Sequence, residues 1–218
     1  MRCLSRNPRR LRRKSRKMAI KAVLFDMDGT IWEAPIDWGE VRRRMGIPDD
    51  GHPIAHHLKD LHPEERKRKE EILRRFEEEG VKRGRPIPGA SELLSFLRQE
   101  GIVCILVTNN SRASAEAVLK ATGLDFDAVY TREEGALKPE PEALLKPLGD
   151  FGVSPEEAVL VGDSHHDLLA AGNAGIGSVI LVSPSERARS FFPPRADFRE
   201  VKDLHEAKGV IEELIRSA

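Results

Sequence analysis

Four apolar residues in a row, Ala22-Val23-Leu24-Phe25, stop abruptly at Asp26-Met27-Asp28-Gly29-Thr30. A run this short and this apolar is read as a buried strand, and it cannot continue into two carboxylates, a glycine and a hydroxyl. A strand that ends in acids is building a site. In an open parallel sheet, ligands bind beyond the carboxyl ends of the strands, where Asp26 and Asp28 fall. Alternation along an extended backbone points both side chains toward one bound group. Gly29 then permits a turn or a close ligand approach.

From Gly89 onward, strand and helix patterns alternate. The spacing predicts helices over 90–100, 113–122, 141–148, 165–174 and 203–216, and strands over 102–107, 128–130, 158–161 and 178–182. Gly101, Gly123 and Gly175 stand as helix stops. Repeated αβ alternation means a parallel sheet with helices on both faces, an α/β fold of three layers.

Residues 31–87 interrupt that pattern. They are markedly polar, hold no convincing strand, and show helical patterns at 38–45, 53–58 and 63–79. The last begins with Pro63, has acids in its first turn and carries the i,i+4 pairs Glu64 with Arg68 and Glu70 with Arg74. Its apolar stripe is thin, only Ile72, Leu73 and Phe76, so it packs on one side. We read residues 33–87 as a small helical cap inserted after the first strand, with 18–32 and 88–218 forming the core domain.

At 218 residues the chain suits one domain carrying an inserted subdomain. The formal charge is zero, but nine basic residues crowd into 1–17 and no acid precedes Asp26. Removing those nine from 36 leaves 27 basic against 36 acidic residues, a body near −9. The basic arm is expected to be disordered and dispensable. A nucleic-acid or membrane-surface arm, an organelle transit segment and an upstream extension are competing readings. Cys3 lies in that polar arm and Cys104 in an apolar run, which fits a reducing cytoplasm rather than a disulfide framework. The longest clean apolar run, 102–107, is too short for a bilayer.

Three further strand ends carry chemistry. Thr108-Asn109-Asn110-Ser111 places a hydroxyl and loop amides where an anion fits, close to a helix N-terminus. Lys138, in Leu137-Lys138-Pro139-Glu140-Pro141, is a cation on a proline-stiffened approach. The fourth strand ends as Val161-Gly162-Asp163-Ser164-His165-His166-Asp167. If a helix begins there, Asp163 and Asp167 share one face at its positive end. Gathering these acids with Asp26 and Asp28 requires a cation, and oxygen donors point to a hard one, Mg²⁺. Adjacent His165 and His166 raise a zinc reading that no second cluster supports.

Taken together, Asp26-Met27-Asp28-Gly29-Thr30, Thr108, Lys138 and Asp163 with Asp167 resemble the four motifs of the haloacid dehalogenase superfamily, in that family's order, over everything from about Ile20 to the end. The resemblance implies a Rossmann-like parallel sheet with a cap, and a magnesium-dependent phosphatase. It makes Asp26 the nucleophile that forms an aspartyl-phosphate and Asp28 the general acid and base. Thr108, Asn109 and Lys138 are implied to hold the phosphoryl group. Mg²⁺ is implied on Asp26, Asp163 and the backbone carbonyl of Asp28, with Asp167 behind them. The second acid, Asp28, argues against dehalogenation, because halide leaves without a proton.

A small cap directly after the first motif resembles that of phosphoglycolate phosphatase and β-phosphoglucomutase relatives. The implied substrate is a small soluble phosphomonoester, phosphoglycolate-like or a sugar phosphate. A mutase-type phosphotransferase, a nucleic-acid-end phosphatase and a non-catalytic phosphate-binding module are the alternatives. Within the cap, Asp37, Arg42, Arg43, Arg44, His52, His56, His57 and Lys59 are candidates to meet the leaving group. Each is read first as a solvated charge.

Overall fold

A computed structural model describes residues 19–217; the expectation for the basic arm lies outside them. In chain order the elements are β1 (Ala22–Phe25), β2 (Trp32–Glu33), α1 (Trp38–Met45), α2 (Pro63–Arg83), β3 (Arg85–Pro86), α3 (Ala90–Gln99), β4 (Val103–Val107), α4 (Arg112–Thr122) and β5 (Ala128–Tyr130). There follow α5 (Glu142–Asp150), β6 (Ala158–Gly162), α6 (His165–Ala174), β7 (Ser178–Val182), α7 (Glu186–Arg189), β8 (Arg199–Val201) and α8 (Leu204–Arg216).

Six parallel strands run in the order β5-β4-β1-β6-β7-β8, which puts the first strand in the middle. All four β1 residues are buried because both faces of the sheet are covered. Val23 and Phe25 point into a cluster with Leu93 and Leu97 of α3, Val118 of α4 and Ile211 of α8. Ala22 and Leu24 point the other way, onto Leu144 and Leu148 of α5 and Leu168 of α6. Each fully buried Leu, Ile or Phe contributes about 1.5–3 kcal/mol, so this two-sided core holds the sheet that carries the site.

The segment between β2 and β3 is helical, with a small core of its own made by Val41, Met45, Ile54, Leu58 and Leu73. Helix α2 runs through Arg83, beyond the expected end at 79. The extra turn packs: Gly80 lies against Ile36, where an added Cβ would come 2.5 Å from the Ile36 Cδ1. Residues 54–58 form a 3₁₀ turn.

Sequence periodicity missed four of these elements, β2, β3, β8 and α7. The antiparallel ribbon of β2 and β3, paired Trp32 with Pro86 and Glu33 with Arg85, is two residues long and too short to show a period. Strand β8 reads Arg-Glu-Val, and as a sheet edge only its Val201 is buried. Helix α7 is four residues long.

Candidate active site

Register brings the motifs together. Phe25 is level with Leu106 on one side and Val161 on the other, so β4, β1 and β6 end within one residue of each other. Asp26 N–H donates to the Val161 carbonyl at 2.9 Å, continuing that ladder to the last possible rung. Beyond it the chain turns back at once. The Met27 carbonyl accepts from the N–H groups of Thr30, Ile31 and Trp32 at 3.2, 2.9 and 3.0 Å. Gly29 adopts φ +77°, and a Cβ there would fall 2.2 Å from Asp163 Oδ2. The glycine is what lets Asp163 approach the β1 end.

Lys138 is buried, with its Nζ 2.6 Å from Asp26 Oδ1 and 2.6 Å from Asp167 Oδ1. Its backbone is clamped by the Asn109 amide: Lys138 N–H donates to Asn109 Oδ1 at 2.9 Å, and Asn109 Nδ2 donates to the Lys138 carbonyl at 2.8 Å. The expectation for Asn109 names the loop amides here, and the side chain has a task of its own. Its two polar atoms are taken by the lysine loop, so it positions Lys138.

The shared helix face expected for Asp163 and Asp167 needs correcting. Helix α6 starts at His165, with Ser164 as its N-cap, so Asp163 lies outside the helix. Asp167 closes a capping box: its Oδ2 accepts from Ser164 N–H at 3.1 Å and Ser164 Oγ at 2.6 Å. One oxygen of Asp167 thus caps a helix while the other holds Lys138.

Asp28 lies across the mouth from these groups, and its Oδ2 accepts from Asn110 Nδ2 at 2.8 Å. Asn110 is fixed in turn, its N–H donating to Thr108 Oγ1 at 3.0 Å and its Oδ1 accepting from Ser111 N–H at 2.8 Å. Sequence reasoning passed over Asn110. The two adjacent asparagines look alike in sequence, and only the turn after β4 sends one to Lys138 and the other to Asp28.

The electrostatics are those of an acid cluster short of positive charge. Burial, opposed by Lys138 and reinforced by Asp167, raises Asp26 to about 6. Burial and the neighbouring Asp26 raise Asp28 to about 7, against the Asn110 hydrogen bond. Burial, Asp26 and Asp167 push Asp163 well above the ordinary carboxylate range. Burial alone would raise Asp167, but Lys138 holds it below its ordinary value. Burial alone would lower the Lys138 ammonium, but Asp167 and Asp26 hold it above the lysine norm. Asp26, Asp163 and Asp167 each offer an oxygen, all within 4.8 Å of one another. One buried lysine does not neutralise this group; an all-oxygen donor set that close fits a small hard divalent cation. The Asp28 carboxylate is not part of that triad.

A cavity of about 470 Å³ lies between these residues and the helical segment that joins β2 to β3. Of the cap charges singled out in the sequence, Asp37 and Arg42 line it. The other six look elsewhere: Arg43 and Arg44 bond Glu40, His57 bonds Asp50, Lys59 bonds Glu140, and the His52 and His56 rings stack on each other at 4.8 Å. His165 and His166 both place Nε2 on the Gly51 carbonyl, at 2.9 and 3.0 Å, joining cap loop to core. Glu77 of α2, buried and lining the cavity, receives both Nη groups of Arg132 from the core. Glu77 carried no signal in the sequence, sitting in a run of three glutamates, Glu77 to Glu79.

Among the described residues no helix is long and apolar enough to cross a membrane. The chain matches the family model described as haloacid dehalogenase-like hydrolase over residues 34–181. It is 33% identical over 170 residues to an uncharacterized hydrolase of Saccharomyces cerevisiae, covering 74% of this chain and 77% of that one. It is 30% identical over 217 residues to pyrophosphatase PpaX of Halalkalibacterium halodurans, covering 88% and 99% respectively. A hydrolase from Pseudomonas syringae has the same fold, with a TM-score of 0.71 at 22% identity over 88% of this chain and 98% of the other. With acids at the ends of β1 and β6, Thr108 beside them at the end of β4 and the lysine between Asp26 and Asp167, these matches show that the chain belongs to the haloacid dehalogenase-like hydrolases.

Proposed function

We propose that the protein is a Mg²⁺-dependent phosphatase acting on a small phosphomonoester through an aspartyl-phosphate. The observation that carries this reading is the convergence of Asp26, Asp163 and Asp167 with Lys138 Nζ at 2.6 Å from two of them. Asp26 attacks phosphorus in line and takes the phosphoryl group, splitting one hard hydrolysis into two easier steps. Asp28, whose carboxyl burial and Asp26 raise to about 7, gives its proton to the departing alkoxide. It then takes one from the water that opens the acyl-phosphate, an effect worth roughly 10²–10⁴ in rate. Asn110 aims Asp28, and Asn109 holds Lys138 toward the transferred group. Thr108 bounds the phosphoryl pocket at the β4 end. Asp26, Asp163 and the Asp28 carbonyl would hold Mg²⁺, with Asp167 behind them. When bound, the ion supplies the positive charge that offsets the phosphoryl oxygens. Residues 33–87 act as the cap over this site, and the substrate is a soluble small molecule.

Asp26→Asn is expected to lose essentially all turnover and to form no phosphoenzyme in an acid-quench trapping assay. Full activity in that variant removes the covalent mechanism. Chelation with EDTA is expected to silence the enzyme and lower its thermal midpoint, and added Mg²⁺ to restore both. At a hundredfold excess over its dissociation constant the ion stabilises by about 2.7 kcal/mol. Unchanged turnover in chelator excludes the metal.

A further inference from the structure

The cavity has two halves of unlike chemistry. The core half carries Asp26, Asp28, Lys138 and Asp163. The cap half also holds charged side chains, but most of their polar atoms are already engaged within the protein. Arg42 is buried, its two Nη groups donate to the Pro48 and His52 carbonyls, and its Nε is held only by a 3.6 Å approach to Asp49 Oδ1. Arg187 pairs with Asp49, and Glu77 with Arg132. Asp37 caps α1 by accepting from Glu40 N–H at 3.0 Å.

What the cap itself offers a leaving group is then mostly carbon, Ala34, Ile36, Trp38, Pro53, Ile54 and Leu73, while Ser164, His165, His166 and Ser185 line the cavity from the core. Ile36, Trp38, Ile54 and Leu73 belong to the cap's own apolar cluster, so the same packing that folds the cap sets this wall.

We propose that the cap selects phosphomonoesters whose leaving group is an apolar alkyl or aryl body, over polyhydroxylated sugar phosphates and pyrophosphate. The inference rests on the phosphatase reading above and names the substrate class of that site. A sugar hydroxyl moved from water onto this wall gives up hydrogen bonds with none in return. An alkyl or aromatic body is favoured by the same transfer. The second phosphate of pyrophosphate brings charge to arginines whose partners are already in place.

The test compares kcat/KM for benzyl phosphate, glucose 6-phosphate and pyrophosphate on the full chain with Mg²⁺. The first two both leave as primary alkoxides, so the contrast between them reads the wall rather than leaving-group chemistry. Benzyl phosphate is expected to lead by at least about tenfold, the low end of what an apolar pocket discriminates. Trp38→Ser is expected to shrink that lead about tenfold. If glucose 6-phosphate or pyrophosphate turns over as well as benzyl phosphate, the proposal falls and the phosphatase reading stands. If none of the three turns over, the phosphatase reading falls and calorimetric binding to the wild-type chain decides. Tighter binding of benzyl phosphate then supports the proposed wall, and equal or weaker binding overturns it.

Discussion

Asp28 illustrates how much a single side chain depends on its surroundings. Its pKa in the folded protein, about 7, lies above the ordinary 3.8, through burial and the charge of Asp26. Between those values the folded protein keeps a proton that the unfolded chain has released. The stability from this group is therefore complete below pH of about 4 and fades as pH rises to about 7. In chelator, Asp28→Asn should gain on wild type across that window, by on the order of 2 kcal/mol after screening at the cavity mouth. Urea unfolding of both proteins at several pH values measures this, and a constant difference contradicts it. Asp26, Asp28, Thr108 and Asp163 stood out in sequence because each follows the break of an apolar run, Lys138 because prolines flank it and Asp167 by its spacing from Asp163. The roles of Asn109 and Asn110 were not, since the direction an amide points is decided by the turn it sits in. Glu77 was hidden for another reason: one buried carboxylate among surface glutamates leaves no mark on periodicity.

At the scale of elements, the strand ends are joined through glycines as much as through acids. Gly29 holds φ +77° with Asp163 packed where its side chain would be. Gly162, the last residue of β6, is likewise closed off, since an added Cβ would lie 2.4 Å from Asp167 Cγ. Gly29→Ala combines a left-handed backbone with a collision against a site acid. A loss of about 2 kcal/mol or more is expected, together with weaker divalent-ion binding. Thermal unfolding and calorimetric titration read the two effects separately, and an unperturbed variant would show that Asp163 does not need this approach. Core helices and strands were readable to within a residue or two, because their periods repeat over many residues and their stops are glycines. The ribbon, β8 and α7 were not, because each is too short to have a period and owes its form to neighbours distant in sequence.

Across the whole molecule, three ion pairs of different depth join residues 33–87 to the core among the described residues, beside the two histidine contacts to the Gly51 carbonyl. Lys59 with Glu140 and Arg187 with Asp49 are solvent-facing, and such pairs contribute little, about 0–1 kcal/mol each. Glu77 with Arg132 is different, because the carboxylate is only 2% exposed. Arg132→Ala strands that charge, which costs about 3–5 kcal/mol unless the cap lifts to let water in. The expected outcome is a more open particle, seen as a larger radius of gyration by X-ray scattering and faster proteolysis in residues 33–87. An unchanged scattering curve with unchanged stability contradicts a closing role for the pair. The α/β architecture was foreseeable from alternation alone. How the cap sits over the core was not, since the contacts that fix it join residues such as Glu77 and Arg132, 55 positions apart.

The two-rung ribbon has one more implication. Trp32 faces Pro86 and Glu33 faces Arg85, so some fifty intervening residues leave and re-enter the catalytic body side by side. A segment joined at a single seam can be lengthened, shortened or traded without disturbing the register of the six-stranded sheet. Relatives sharing this chemistry are thus free to differ in what they accept, and a graft made at those two rungs would carry selectivity from one enzyme to another.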